Sequence, residues 1–263
     1  MAAARLGVPT KMVGRVGGDG FGEELLGNLQ AAGVDTAPVL VDPDVSSGVA
    51  IIAVDDAAQN NIIIVPGANG RVAAADVDRL ASHLPGSAAL LLQLEVPLEA
   101  TIAAATLARQ HGVTVILDPA PAQPLPAELY AQTDIITPNE VEAAQLVGFP
   151  VKSQDDAFNA AAKLLARGVS IAIIKMGALG VVYATRAGER DFVPAFPVQA
   201  TDTTAAGDAF NGGFAAALLE GLPLADAVRW GAATGALSAT MAGAQPSMPT
   251  RDQFDQFLAR MTR

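Results

Sequence analysis

The feature that most constrains this chain is an alternation of short apolar runs with alanine-rich amphipathic stretches. Ala89 to Leu94 reads ALLLQL, Val113 to Leu117 reads VTVIL, Asp134 to Thr137 reads DIIT and Ile171 to Met176 reads IAIIKM. Each run is short and almost continuously apolar, as a strand covered on both faces requires. Between them, Thr101 to Gln110 (TIAAATLARQ) reads as a helix ahead of Gly112. Asp155 to Arg167 reads as another, with Phe158, Ala161, Leu164 and Leu165 on one face and Gly168 as its stop. Strands alternating with helices predict an α/β fold in three layers, a mainly parallel central sheet with helices on both faces. One segment breaks the pattern. Gly48 to Val54 (GVAIIAV) and Asn61 to Val65 (NIIIV) flank the polar stretch Asp55 to Asn60, which predicts a β-hairpin rather than a βα unit. The chain of 263 residues is read as a single domain, 1–263, carrying a partial β lid at about residues 46–66.

Composition narrows the partners. Apolar residues make up 51% and charged residues 16%, a well-buried composition far from the disordered class. No apolar run reaches the length of about 20 residues that a membrane helix needs. The opening MAAARLG reads without an apolar core of signal-peptide length, so cytoplasmic residence is the expectation. Cysteine is absent, which removes disulfides and thiolate metal sites. A net charge of −11 without a basic cluster argues against nucleic acid as a partner. A nucleotide remains compatible, because Mg2+ and backbone N–H groups can carry its charge.

Polar residues follow the predicted strands in order: Glu95, Asp118, Asn139 with Glu140, and Gly177 with Gly180. In open parallel sheets ligands bind beyond the carboxyl ends of the strands, so these positions mark one binding edge. The segment with most chemical content is Asp202-Thr-Thr-Ala-Ala-Gly-Asp208-Ala-Phe-Asn-Gly-Gly, followed by the helical FAAALLEG. Ala205, Ala206 and Gly207 would sit at a helix N-terminus, where free N–H groups and the helix dipole favour an anion and small side chains let a phosphate come close. Asp208, in the first turn, is either a dipole-stabilising carboxylate or a base that takes a proton from an acceptor hydroxyl during phosphate transfer.

This segment resembles the C-terminal signature of the ribokinase-like (phosphofructokinase-B) carbohydrate kinases. The resemblance extends through Gln93-Leu-Glu95-Val-Pro97, Asp118-Pro-Ala-Pro121, Ile135-Ile-Thr-Pro-Asn139-Glu-Val-Glu142 and Gly243-Ala-Gln-Pro-Ser247. It implies an ATP-dependent sugar kinase acting on D-ribose, with another small-sugar or nucleoside kinase, or a non-catalytic nucleotide-binding protein, as alternatives. By the same resemblance Asp208 is the base and a substrate contact, and Ala205, Ala206 and Gly207 form the anion hole. Glu95 binds sugar hydroxyls, although a loop carboxylate would look the same. Asn139 approaches the ATP phosphates, and Glu142 holds Mg2+ through water or is a solvated helix-face charge. Lys175-Met-Gly177-Ala-Leu-Gly180 resembles the nucleotide loop, placing Lys175, Gly177, Gly180 and Gly207 on the cofactor side, although a plain hairpin turn uses the same residues. Asp202, Thr204, Gly243 and Ser247 match the ligands of an activating K+, several through backbone oxygens. A homodimer in which lid strands pair between subunits is implied as well.

Other glycine and histidine signals carry no site. Gly14 to Gly22 (GRVGGDGFG) contains no G-x-G-x-x-G register, and its Gly-Asp-x-x-Gly piece reads as a turn into a helix over Glu23 to Ala32. No G-x-x-x-x-G-K-[ST] loop and no G-x-S-x-G elbow occurs. His83 and His111 lack ligand spacing and read as helix-end or surface residues. The resemblance also implies an N-terminal strand with an Asn-x-Asp sugar contact, further lid strands and a Gly-Gly-x-Gly-x-Asn motif, whereas Met1-Ala-Ala-Ala-Arg-Leu-Gly matches the helix that follows them. Either Met1 is an internal position of a longer protein, which this reading favours, or the lid and sugar site are incomplete, with a sheet edge left open.

Overall fold

A computed structural model describes residues 1–54 and 60–261. The chain opens with α1 (Ala2–Arg5), β1 (Thr10–Lys11), β2 (Gly14–Gly17), α2 (Gly20–Ala31), β3 (Val34–Asp35) and β4 (Val39–Asp42). The strands β5 (Val49–Val54) and β6 (Asn60–Val65) follow, then α3 (Ala74–Ala81), β7 (Ala89–Leu92), α4 (Leu98–Gln110), β8 (Thr114–Leu117), α5 (Ala127–Gln132) and β9 (Ile135–Ile136). The remainder comprises α6 (Glu140–Val147), α7 (Gln154–Ala166), β10 (Ile171–Lys175), β11 (Val181–Thr185), β12 (Arg190–Val193), α8 (Ala206–Leu219), α9 (Leu224–Ser238) and α10 (Arg251–Met261).

Strand alternation builds the three layers. The six-stranded sheet runs β12-β11-β10-β9-β8-β7. Val115 and Leu117, Ala172 and Ile174, and Val182 and Ala184 face one side, where they pack with Ala105, Leu146 and Leu164. Their neighbours Ile116, Ile173, Val181 and Tyr183 face the other side and meet Phe210, Phe214 and Val228. Successive strand residues thus feed opposite cores, and every strand position in the middle of the sheet must be apolar. On α7, Ala161 and Leu164 are fully buried, and Phe158 and Leu165 pack at the margin of the same core.

The sheet is mixed rather than parallel throughout. β7 to β10 are parallel, but β11 returns antiparallel to β10, and β12 reverses again antiparallel to β11. The reason is local: after β10 the chain reverses through Gly177–Gly180, too few residues for a crossover. Two helices begin earlier than their apolar periodicity suggests. α4 starts at Leu98 because the Pro97 carbonyl accepts from the N–H groups of Ala100 (3.0 Å) and Thr101 (3.2 Å). α2 starts at Gly20 because Asp19 caps it, accepting from the Gly22 N–H at 2.8 Å. β5 and β6 form the expected antiparallel hairpin, and most of its turn lies outside the described residues. The pairs β1–β3 and β2–β4 stand apart from the large sheet. Among the described residues nothing pairs with the free side of β7, and Leu91 there is 42% exposed.

The tightest packing joins α8 to α9. A Cβ added at Gly213 would lie 2.1 Å from the Thr234 Oγ1, and one at Gly231 would lie 2.9 Å from the Phe210 ring. A Cβ at Gly235 would stand 2.9 Å from the Ala206 carbonyl oxygen, so α9 is pressed against the first turn of α8. We expect Gly213→Val to cost about 1–3 kcal/mol through overpacking, with Tm falling by roughly 2–4 °C for each kcal/mol. Thermal unfolding of the variant beside the parent measures this. An unchanged Tm would mean that the helices part without cost.

Candidate active site

The parallel strands β7 to β10 deliver their carboxyl ends to one edge. Glu95 follows β7, Asp118 follows β8, Asn139 follows β9, and Lys175 closes β10. The edge is knit by backbone bonds: the Lys175 N–H donates to the Pro138 carbonyl at 2.9 Å, and the Asp118 N–H to that of Leu92 at 2.9 Å. The N-terminus of α8 arrives at the same place. Asn211, one helical turn beyond Asp208, donates from Nδ2 to the Asp118 Oδ2 at 2.6 Å. Lys175 Nζ lies 2.9 Å from that same oxygen and 3.2 Å from Oδ1.

Ala205 is the N-cap of α8 and takes a left-handed conformation, φ 60° and ψ 12°. It is the one non-glycine residue with positive φ among the described residues. That conformation carries a steric cost which clusters at functional sites. Here it turns the chain sharply from the 202–204 loop into the helix. Of the first-turn N–H groups, that of Ala206 donates back to the Thr203 carbonyl at 3.1 Å, while that of Gly207 has no helical carbonyl four residues back and can serve an anion.

Three carboxylates at this edge, Asp208, Glu95 and Glu142, are perturbed in one direction. Burial raises the Asp208 carboxyl above its ordinary value; Asp118 raises it further, while Lys175 pulls it back. Asp208 nevertheless remains exposed, so solvent screens part of this effect. Burial likewise raises Glu95, and the negative charge of Asp208 adds to the effect. Glu142 is half-buried and raised by burial, with the Asn139 N–H opposing and Asp118 adding to the rise. Its Oε2 accepts from that N–H at 2.8 Å, while the Asn139 Oδ1 accepts from the N–H groups of Val141 (2.9 Å) and Glu142 (2.8 Å). This reciprocal capping box uses the Asn139 oxygen and leaves its amide N–H groups for a ligand.

Gly177 (φ 52°) and Gly180 (φ 103°) bracket the turn from β10 to β11. A Cβ at Gly180 would lie 2.5 Å from the Val193 carbonyl oxygen, so this glycine is demanded by the hairpin itself. Behind the anion hole, Asp202 ties two segments together. Its Oδ1 accepts from the Thr204 N–H and its Oδ2 from the Gly243 N–H, both at 2.8 Å. Bonds from the Thr204 side chain and from these two N–H groups hold the Asp202 carboxyl below its usual range. Ser247 is buried on the next turn, and its hydroxyl lies 2.8 Å from both the Ser238 hydroxyl and the Ala244 carbonyl. The structure thus joins Asp202, Thr204 and Gly243 directly and places the Ser247 side chain behind them. Among the described residues no group of three or more His, Asp or Glu gathers to hold a metal. His83 and His111 lie just past the ends of α3 and α4, outside this edge.

Comparison with known proteins decides the family. Residues 1–251 match the pfkB family of carbohydrate kinases. The chain belongs to this family. It is 40% identical over 258 residues to a ribokinase of Haemophilus influenzae, spanning 98% of this chain and 84% of that protein. It is 38% identical over 260 residues to a deoxyribokinase of Salmonella typhi, spanning 98% and 85%. The solved structure of an Arabidopsis thaliana ribokinase complexed with ribose and ATP matches with a TM-score of 0.89 at 32% identity, covering 98% of this chain and 84% of that one. As a pfkB family carbohydrate kinase, the chain is a phosphotransferase with an alcohol group as acceptor.

In this kinase two polar residues at the edge were given no role by sequence reasoning, Asp118 and Asn211. Asp118 was marked as a strand-end residue, and Asn211 could have been found from its i+3 spacing to Asp208 on a helix. What no local pattern contains is the bond between them.

The raised Asp208 carboxyl has a consequence for stability. The folded protein keeps this proton to higher pH than the unfolded chain does. Stability attached to the group is therefore present below the ordinary carboxylate range and declines as pH rises through the folded value. At neutral pH the ionised group is a net cost. Asp208→Asn is expected to raise Tm near pH 8 and to raise it less near pH 5. Melting curves of both proteins across that range test this; equal Tm values at both ends would remove the electrostatic cost.

Proposed function

We propose that this kinase phosphorylates D-ribose at its primary hydroxyl with ATP, giving D-ribose 5-phosphate and ADP. The observation that carries the reading is Asp208, a carboxylate with raised proton affinity, set in the first turn of α8 beside the anion hole, whose charge reaches Glu95. Glu95 orients the sugar by accepting from its hydroxyls. Asp208 takes the proton of the acceptor hydroxyl as that oxygen forms a bond to the γ-phosphorus and the bond from phosphorus to the ADP oxygen breaks. Ala205, Ala206 and Gly207 line the place where charge gathers on the transferring group, and the Gly207 N–H receives it. Asn139, Lys175, Gly177, Gly180 and Gly207 form the nucleotide side.

Mg2+ fits this site as an ion brought with ATP. One half-buried carboxylate, Glu142, stands beside the phosphate edge without a full protein cage, and Mg2+ commonly keeps its waters and binds through substrate phosphates with one or two carboxylates. Bound there, it would neutralise phosphate charge. K+ fits the loop behind the anion hole. The Asp202 carboxylate stays ionised, and backbone oxygens at Asp202, Thr204, Gly243 and Ser247 are of the type that takes such an ion. Cytoplasmic residence, where ATP is available, completes the reading.

The deciding assay is ADP release by the purified protein with ATP and Mg2+, with and without ribose, in K+ and in choline. We expect release that depends on ribose, falls when choline replaces K+, and drops about 100-fold to 10,000-fold in Asp208→Asn. Deoxyribose in place of ribose separates this reading from the one that the deoxyribokinase relative suggests. Folded protein that binds ATP without any sugar-dependent release would instead indicate a nucleotide-binding protein derived from a kinase.

A homodimer formed through the β5–β6 hairpin belongs to the same proposal. Ile64 is 56% exposed and Val65 42%, and among the described residues the hairpin pairs with no other strand. A second copy would cover this apolar surface. Sedimentation at micromolar concentration should give the mass of two chains; a monomer counts against the arrangement.

A further inference from the structure

The reaction outlined above sets Lys175 on the nucleotide side without naming the atom it meets, and gives no task to its ion pair with Asp118 or to Asn211. Lys175 Nζ donates to both oxygens of Asp118, at 2.9 and 3.2 Å, and the two side chains are only 14% and 12% exposed for Asp118 and Lys175 respectively. Asn211 holds the same carboxylate from the other side, and its own Oδ1 is buried without a partner among the described residues. Pairs this buried give little net stability, because desolvation offsets the attraction. Stability is therefore a weak reason for a lysine at this place.

Position is a stronger one. A Cβ built on Gly207 would lie 3.1 Å from the Lys175 Nζ, so the ammonium forms a wall of the anion hole. Its charge reaches both Asp208 and Glu142, pulling each carboxyl back toward its ordinary value. Among the described residues the hydrogen bonds of Nζ go to Asp118 alone, although an ammonium has three donors on a flexible stem. A triphosphate entering this cluster adds several negative charges within reach of that cation.

We propose that Lys175 changes partner during turnover, from Asp118 in the empty site to an oxygen of the transferring phosphoryl group. The inference rests on the phosphotransfer reading and adds to it a specific contact. Asn211 keeps Asp118 in place when the ammonium leaves, and a side chain at Gly207 would crowd the ammonium. The contact is made to the moving group and not to ADP, so it strengthens as the transition state forms.

Calorimetric titration with MgADP in the presence of ribose, with and without aluminium fluoride as a mimic of the moving group, tests this. For Lys175→Met we expect MgADP affinity within about threefold of the parent, loss of about 100-fold of the fluoride-dependent tightening, and a matching fall in kcat with KM for ribose unchanged. Lys175→Arg, which keeps the charge, should recover at least about tenfold of the lost kcat. Equal losses of affinity with and without fluoride would make Lys175 an ADP contact and overturn the proposal. Retention of the tightening by Lys175→Met would reduce the pair to a structural one. Parent protein that shows no fluoride-dependent tightening at all would overturn the phosphotransfer reading, and this inference with it.

Discussion

The structure depends on how closely α8 can approach its neighbours. Gly212 and Gly213 leave no room for side chains, one against the backbone of α1 and the other against Thr234 of α9. Gly231 and Gly235 return the fit from α9, against the Phe210 ring and the Ala206 carbonyl. Phe210 and Phe214 then fill the space between α8 and the sheet, stacked with centroids 6.2 Å apart. Contacts along the length of the helix thus fix the position of its first turn. An anion hole made of backbone N–H groups needs that rigidity, because it has no side chains that could adjust to a misplaced phosphate.

Rigidity also explains the strained N-cap. A left-handed Ala205 would relax if the 202–204 loop were free to move. Asp202 prevents this by accepting from both Thr204 and Gly243, which ties the loop to the segment after α9. The N–H groups of Thr201 and Asp202 donate to the Ala239 carbonyl at 2.8 and 3.2 Å, adding a second tie to the end of α9. The helix pair is thereby closed at its far end as well, and the turn is held in place by bonds on both sides.

Much of this was legible in the chain, and the reasons differ by element. The α/β layering could be read because each strand feeds two cores and so must be apolar at every position, as Val115, Ile116 and Leu117 are. Asp208 and the anion hole could be read because their chemistry is compressed into one helix turn. The antiparallel return after β10 stayed open because strand direction depends on connection length, and Gly177–Gly180 looks alike as a nucleotide loop and as a hairpin turn. The early starts of α2 and α4 were missed because caps, not periodicity, define them. The contact between Asp118 and Lys175 spans 57 residues of sequence, and only the folded sheet brings it about. The Gly213–Thr234 contact is likewise a product of packing, since a glycine inside a helix has no local signature of what it admits.

The electrostatics of the edge follow from the same geometry. Parallel strands collect their carboxyl ends, and with them Glu95, Asp118 and Glu142, while α8 adds Asp208. Concentrating carboxylates in one partly dry hollow is unfavourable, as the raised values of Glu95, Glu142 and Asp208 record. A surface selected for stability alone would disperse them. Their arrangement becomes favourable only when cations and a phosphate enter together, since each carboxylate then meets a partner that the empty protein lacks. Asp208 gains most from being raised: a carboxylate in water is a weak base, and one kept in a crowded hollow beside a second carboxylate accepts a hydroxyl proton more readily. The packing of α8 against α9 and the sheet supplies the stability that this edge gives up, so the rigid core and the strained site are two parts of one design.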